Sequence, residues 1–125
     1  MAKSNDHIDK ARHNERFAQD VRPLNSDYLD WVITAYFYAA LHYLEAYLAA
    51  NPVEKHPTTH GERMYYVASI FSSRSFNYFS YLKDRSESAR YETRTFSDQE
   101  VESKVIPGFE FFRQEAISRL SSWTT

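Results

Sequence analysis

The chain has 125 residues, no cysteine, an aromatic content of 17% and a formal net charge of −2. That length supports one domain, residues 1–125, and the missing cysteines exclude a disulfide scaffold and any thiolate metal site. A near-neutral balance also excludes a protein that coats nucleic acid through bulk positive charge.

The opening segment, MAKSNDHIDKARHNER, lacks the apolar stretch of a secretory signal. Helical periodicity predicts a first helix from about Asn5 to Val21, capped by Ser4 or Asn5 with Asp6 in its first turn. Its inner face is Ala11, Asn14, Ala18 and Val21, flanked by Ile8 and Phe17. Asn14 therefore turns toward the interior, an unusual position for an amide. Pro23 ends this helix, and Asn25-Ser26-Asp27 offers caps for the next.

Residues 27–49, DYLDWVITAYFYAALHYLEAYLA, predict a second helix over Asp27–Ala50 that is apolar on nearly every side. Such a helix belongs at the centre of a bundle. Trp31, Ala35, Tyr38, His42, Glu45 and Ala49 form one stripe of it. Thr34, His42 and Glu45 interrupt the apolar run, so it falls short of the roughly 18 residues of a membrane span. The chain is expected to be cytoplasmic, with no membrane partner. Asn51-Pro52 stops the helix, and the loop Pro52–Pro57 follows.

Thr58 or Thr59 can cap a third helix that begins with His60, Glu62 and Arg63 and continues through Tyr66, Val67, Ile70 and Phe71. Ser72-Ser73-Arg74-Ser75 breaks the chain. A fourth helix over about Ser75–Tyr91 turns Phe76, Phe79, Leu82, Ser86 and Ala89 inward. Ser97-Asp98-Gln99-Glu100 is a capping box that opens the last helix. Pro107-Gly108 kinks that helix, and Phe109, Phe112, Ala116 and Leu120 carry its apolar face. The expected fold is all-α, an up-and-down bundle of four to five helices.

Charge is unevenly spread. Residues 26–62 hold five acidic side chains against one basic, whereas residues 63–94 hold six basic against three acidic. The second stretch contains Arg63, Arg74, Lys83, Arg85, Arg90 and Arg94. It is either a face that meets phosphate or a solvated surface on which Glu87 pairs with Arg90 or Arg94.

Three groups of residues can carry chemistry. His42, with Glu45 one turn away, is either a base oriented by a carboxylate or a core histidine bonded to Asn14, a tyrosine or Glu45. His60 and Arg63, in HPTTHGER, share the first turn of a helix. There His60 could move a proton while Arg63 clamps an anion, or both could cap the helix and bridge to Glu62 or to the acidic second helix. Arg85, Arg90 and Tyr91 could line a groove that binds substrate, or simply complement a helix end. His56 and His60 lack a close third ligand, so no metal and no cofactor is expected. Glycine-rich phosphate loops, nucleophile elbows and paired-carboxylate sites are all missing.

With these residues in view, the chain resembles the HEPN superfamily of small prokaryotic helical-bundle proteins over about residues 8–120. The likeness rests on KARHNERFAQDV, WVITAYFYAALHYLEAYLA, HPTTHGER and the late SARY segment, with AYFYAALH its most recognisable part. It implies a homodimer of helical bundles with a site near the dimer cleft. It also implies an RNA-directed role, often as a metal-independent ribonuclease of toxin–antitoxin or defence systems, with an antitoxin or a nucleotidyltransferase as partner protein. Active members carry an arginine followed four to six residues later by a histidine. None of His7, His13, His42, His56 or His60 has an arginine at that distance upstream, and Arg85 is followed by Arg90 and Tyr91 instead. The competing expectation is thus a non-catalytic dimeric module that binds a partner protein or a nucleotide.

Overall fold

The computed structural model describes residues 3–24, 26–51, 55–93 and 95–121. Asn25, the first half of the Pro52–Pro57 loop (residues 52–54) and Arg94 lie outside the described residues. The elements are α1 (Ser4–Val21), a 3-10 turn (Ser26–Tyr28), α2 (Leu29–Ala50), α3 (His60–Ile70), α4 (Ser73–Tyr91), the single turn α5 (Asp98–Glu100), a π-helical stretch (Val101–Val105) and α6 (Ile106–Ser121). No strand occurs among the described residues, and no helix among them is long and apolar enough to cross a membrane.

Local signals set most boundaries. α1 starts at Ser4, so its N-cap is Lys3, one residue before the first of the two predicted caps, and the Lys3 N–H donates to the Asp6 carboxylate at 3.0 Å. The Thr59 hydroxyl accepts the Glu62 N–H at the head of α3, Ser72 caps α4 by accepting from Ser75, and Ser97 caps α5 by accepting from Glu100. Each cap satisfies one of the free N–H groups of a first turn.

The predicted kink at Pro107-Gly108 takes a different form. Pro107 has no N–H, and its ring crowds the carbonyl one turn back. The chain relieves this by widening Val101–Val105 into a π-helix directly upstream, and the helical course continues through it. Gly108 serves packing: a Cβ there would lie 2.9 Å from Cδ1 and 3.3 Å from Cγ of Tyr78 on α4. Gly108→Leu is accordingly expected to lower stability by about 1–3 kcal/mol through overpacking, despite the gain in helix propensity. A urea denaturation midpoint checks it.

α2 is the central rod. Fifteen of its 22 residues are buried, and it packs against α1, α4 and α6. Ser4 Oγ donates to the Ala46 carbonyl and His7 meets His42, so α1 runs antiparallel to α2. Ser75 opposite Glu115 and Tyr78 opposite Phe111 set α4 and α6 antiparallel. Ring contacts link the layers: Phe37 to Phe79 at 5.6 Å, Phe79 to Phe112 at 5.0 Å and Phe112 to Phe71 at 5.0 Å. Such pairs contribute about 0.5–1.5 kcal/mol each beyond their buried area.

The predicted inner faces hold at Ala11, Ala18, Val67, Phe71, Phe79, Leu82, Ser86, Phe109, Phe112 and Ala116, all buried. Phe17 and Trp31 are corrections, at 44% and 53% exposed. Both sit toward the end of the bundle where α1 turns into α2.

Candidate functional site

An acid in a helix buried on all sides must find partners or neutralise, and Glu45 finds two. Only 3% exposed, its Oε1 accepts Arg63 Nε–H at 2.8 Å and its Oε2 lies 2.8 Å from His56 Nε2. The pair ties the HPTTHGER turn to the C-terminal part of α2. Glu62 closes the turn locally by accepting the Thr58 N–H and hydroxyl and pairing with Lys55. The Thr58 N–H is the leading cause that holds the Glu62 carboxyl down at about 2.

Of the two readings of Arg63, the geometry takes the bridge to the second helix, because its Nε is anchored on Glu45. His60, one turn earlier, is half-buried and packs edge-to-face with the Phe37 ring at 5.4 Å. Its Nδ1 is buried without a hydrogen-bond partner. Burial, then the charges of Arg63, Lys83 and Arg90, push its pKa below the ordinary imidazole value, with Glu87 opposing. The imidazole is therefore neutral near pH 7, with a nitrogen able to take a proton.

Arg90 comes to this same locus from the far end of α4. Its guanidinium sits 5.4 Å over the Tyr38 ring and 5.3 Å over that of Tyr91, and its Nε and Nη1 are buried without partners. The expected pairing of Glu87 with Arg90 does not form. Glu87 instead pairs with Lys83 at 3.1 Å, one turn earlier on α4.

The other predicted residues are elsewhere. His42 does not hydrogen-bond to Glu45. Its Nδ1 lies 3.1 Å from Nδ1 of His7 on α1, with the rings stacked. The reason is angular: Glu45 faces α3 and the segment before it, where Arg63 and His56 meet its two oxygens, while His42 faces α1. Arg85 is bound to Glu100 at 3.0 Å and lies over Tyr81. Tyr91 is 79% exposed, and Asn14 is half-buried on α1. Among the described residues, no group of three or more His, Cys, Asp or Glu could hold a metal.

Sequence reasoning allowed a bridge from Arg63 to the second helix without naming Glu45 as its partner, and it missed the His7–His42 contact and Lys83 as the partner that takes Glu87 from Arg90. Only the Glu45 bridge left a signal, a lone carboxylate in an apolar helix followed by a segment with His56 and Arg63. The assembled locus joins a neutral imidazole, a guanidinium with free N–H groups and aromatic walls, a combination suited to holding a phosphate and moving a proton beside it. No family model matches the chain, and no curated protein is significantly similar to it.

Proposed function

We propose that this protein is an RNA-directed, HEPN-like helical bundle that acts on a phosphodiester without a metal ion. The observation that carries this reading is the trio of buried polar atoms without partners, His60 Nδ1 and Arg90 Nε and Nη1. Native interiors rarely leave such atoms unsatisfied. These flank the neighbouring rings of Phe37 and Tyr38 on α2, close enough for the Arg90 charge to act on the His60 imidazole. A bound phosphate would supply what Arg90 lacks. The resemblance through AYFYAALH and HPTTHGER adds support from the sequence.

In this reading neutral His60 accepts the proton of a ribose 2′-hydroxyl, whose oxygen attacks the adjacent phosphorus. Arg90 offsets the charge that builds on the phosphorane, and the 5′-oxygen leaves with a proton from solvent. Arg63, held by Glu45, keeps the His60 turn in register. In buffer with EDTA, purified protein is expected to cut single-stranded RNA, and His60→Ala to slow cleavage about 10²–10⁴-fold. Cleavage that persists in His60→Ala would remove the assignment.

A second reading, a dimeric module without catalysis, draws on the large apolar side chains exposed around the turn from α1 to α2. Leu24 is 79% exposed, Tyr28 52% and Trp31 53%, the kind of surface that meets a second copy or a partner protein. Protein that neither binds nor cuts RNA in the same assay would favour it.

A further inference from the structure

We infer that His7 and His42 form an acid-sensitive clasp that holds the N-terminal half of α1, residues 4–14, against α2 and releases it once both rings are protonated. This is independent of the RNA reading. The two Nδ1 atoms are 3.1 Å apart and the ring centroids 5.3 Å apart with an interplanar angle of 26°. At that separation one ring carries its proton on Nδ1 and the other offers a lone pair. The bond survives a first added proton, because an imidazolium remains a donor and its neighbour remains an acceptor. A second proton leaves two N–H groups and two positive charges pointing at each other.

The surroundings oppose that second proton. His42 faces His7 and Lys10 from α1, Arg63 from α3, and Glu45 one turn along α2. Of these, only Glu45 favours charge, and its carboxylate is already held by Arg63 and His56. Half-burial of the ring acts in the same direction as the cations, so its pKa lies below the ordinary imidazole value. For a base so displaced, the folded state favours the neutral form. The stabilisation is complete above the unfolded pKa and is lost as pH falls below it.

What opens is local. Besides the clasp, this part of α1 is held to α2 by Ser4 Oγ donating to the Ala46 carbonyl at 2.8 Å and by Ala11, which is fully buried. Beyond residue 14 the helix has separate anchors: Glu15 is bonded to Tyr43 and Arg113, Ala18 is fully buried, and Arg22 is paired with Asp98 and Glu102. Acid therefore frees the leading turns while the rest of α1 stays docked.

Two measurements test this. In wild-type protein, NMR titration of the two imidazoles is expected to give two macroscopic steps separated by more than about one pH unit, as for coupled sites. A single shared step at the ordinary imidazole value would overturn the clasp. Amide hydrogen exchange, corrected for intrinsic rates, is expected to show protection of residues 4–14 falling at least about tenfold relative to Phe79 and Leu82 between pH 7.5 and 5. In His7→Asn the amide can accept from or donate to His42 in either protonation state, so that fall should vanish. The same fall in His7→Asn, or none in wild type, refutes the proposal.

Discussion

Glu45→Ala is expected to cost about 3 kcal/mol of folding stability, with a fall in Tm on the order of 10 °C. The carboxylate is 3% exposed and answers two groups at once, Arg63 Nε and His56 Nε2, each at 2.8 Å. Removing it leaves the Arg63 guanidinium, whose side chain is 17% exposed, without its counter-charge in a poorly solvated position. Much of the expected loss is that stranded charge and little is the net worth of the pair, because desolvating both ions consumes most of their attraction. A double variant makes this distinction measurable. Glu45→Leu with Arg63→Met should fall within about 1 kcal/mol of wild type, since a buried pair exchanged for apolar groups of similar size is often neutral. Urea denaturation of the three proteins decides the matter. A loss below 1 kcal/mol for Glu45→Ala would mean that water reaches the carboxylate and that the HPTTHGER turn is held by its own caps alone.

Arg90→Ala should behave in the opposite way, with small effect on folding and a large one on RNA. Two of its guanidinium nitrogens are buried without partners, and an unsatisfied buried donor costs about 1–3 kcal/mol. Truncation removes that cost along with the contact over Tyr38, itself of about 0.5–2 kcal/mol. The two nearly cancel, so stability is expected to stay within about 1 kcal/mol of wild type. Affinity for single-stranded RNA should fall roughly 10–150-fold, because a hydrogen bond to a charged group contributes about 1.5–3 kcal/mol. Arg85→Ala is the control: its guanidinium already belongs to Glu100, so RNA affinity should change little. Fluorescence anisotropy with a labelled oligonucleotide, run beside thermal melts, reads both quantities. Unchanged affinity in Arg90→Ala, or a collapse in stability, would make the residue structural.

The elements were legible in the sequence to within a few residues because their signals are local. A capping hydroxyl and the N–H it accepts lie within one turn, as at Thr59, Ser72 and Ser97. The buried character of α2 could be read from its composition, since a helix apolar all round has one environment available to it. Pro107 was read as a disturbance, but its form was not predictable. A missing N–H can be absorbed by a kink, a break or a π-turn, and the packing of neighbouring helices selects among them.

The candidate site was legible only in part. Residue types and the pairing of His60 with Arg63 on one turn follow from spacing, which fixes angles within a helix. Spacing could not tell that Arg63 would be taken by Glu45, 18 residues away, or that Lys83 would claim Glu87 in place of Arg90.

The order of residues by itself determined an all-helical chain, a central apolar rod and the caps that frame it, because each depends on hydrogen bonds and burial within a few turns. Only the tertiary structure decided which charges neutralise one another, which histidines touch and which donors stay unsatisfied. Those outcomes depend on how four helices rotate about their own axes when packed. A rotation of a few tens of degrees exchanges one ion-pair partner for another while leaving every local signal unchanged.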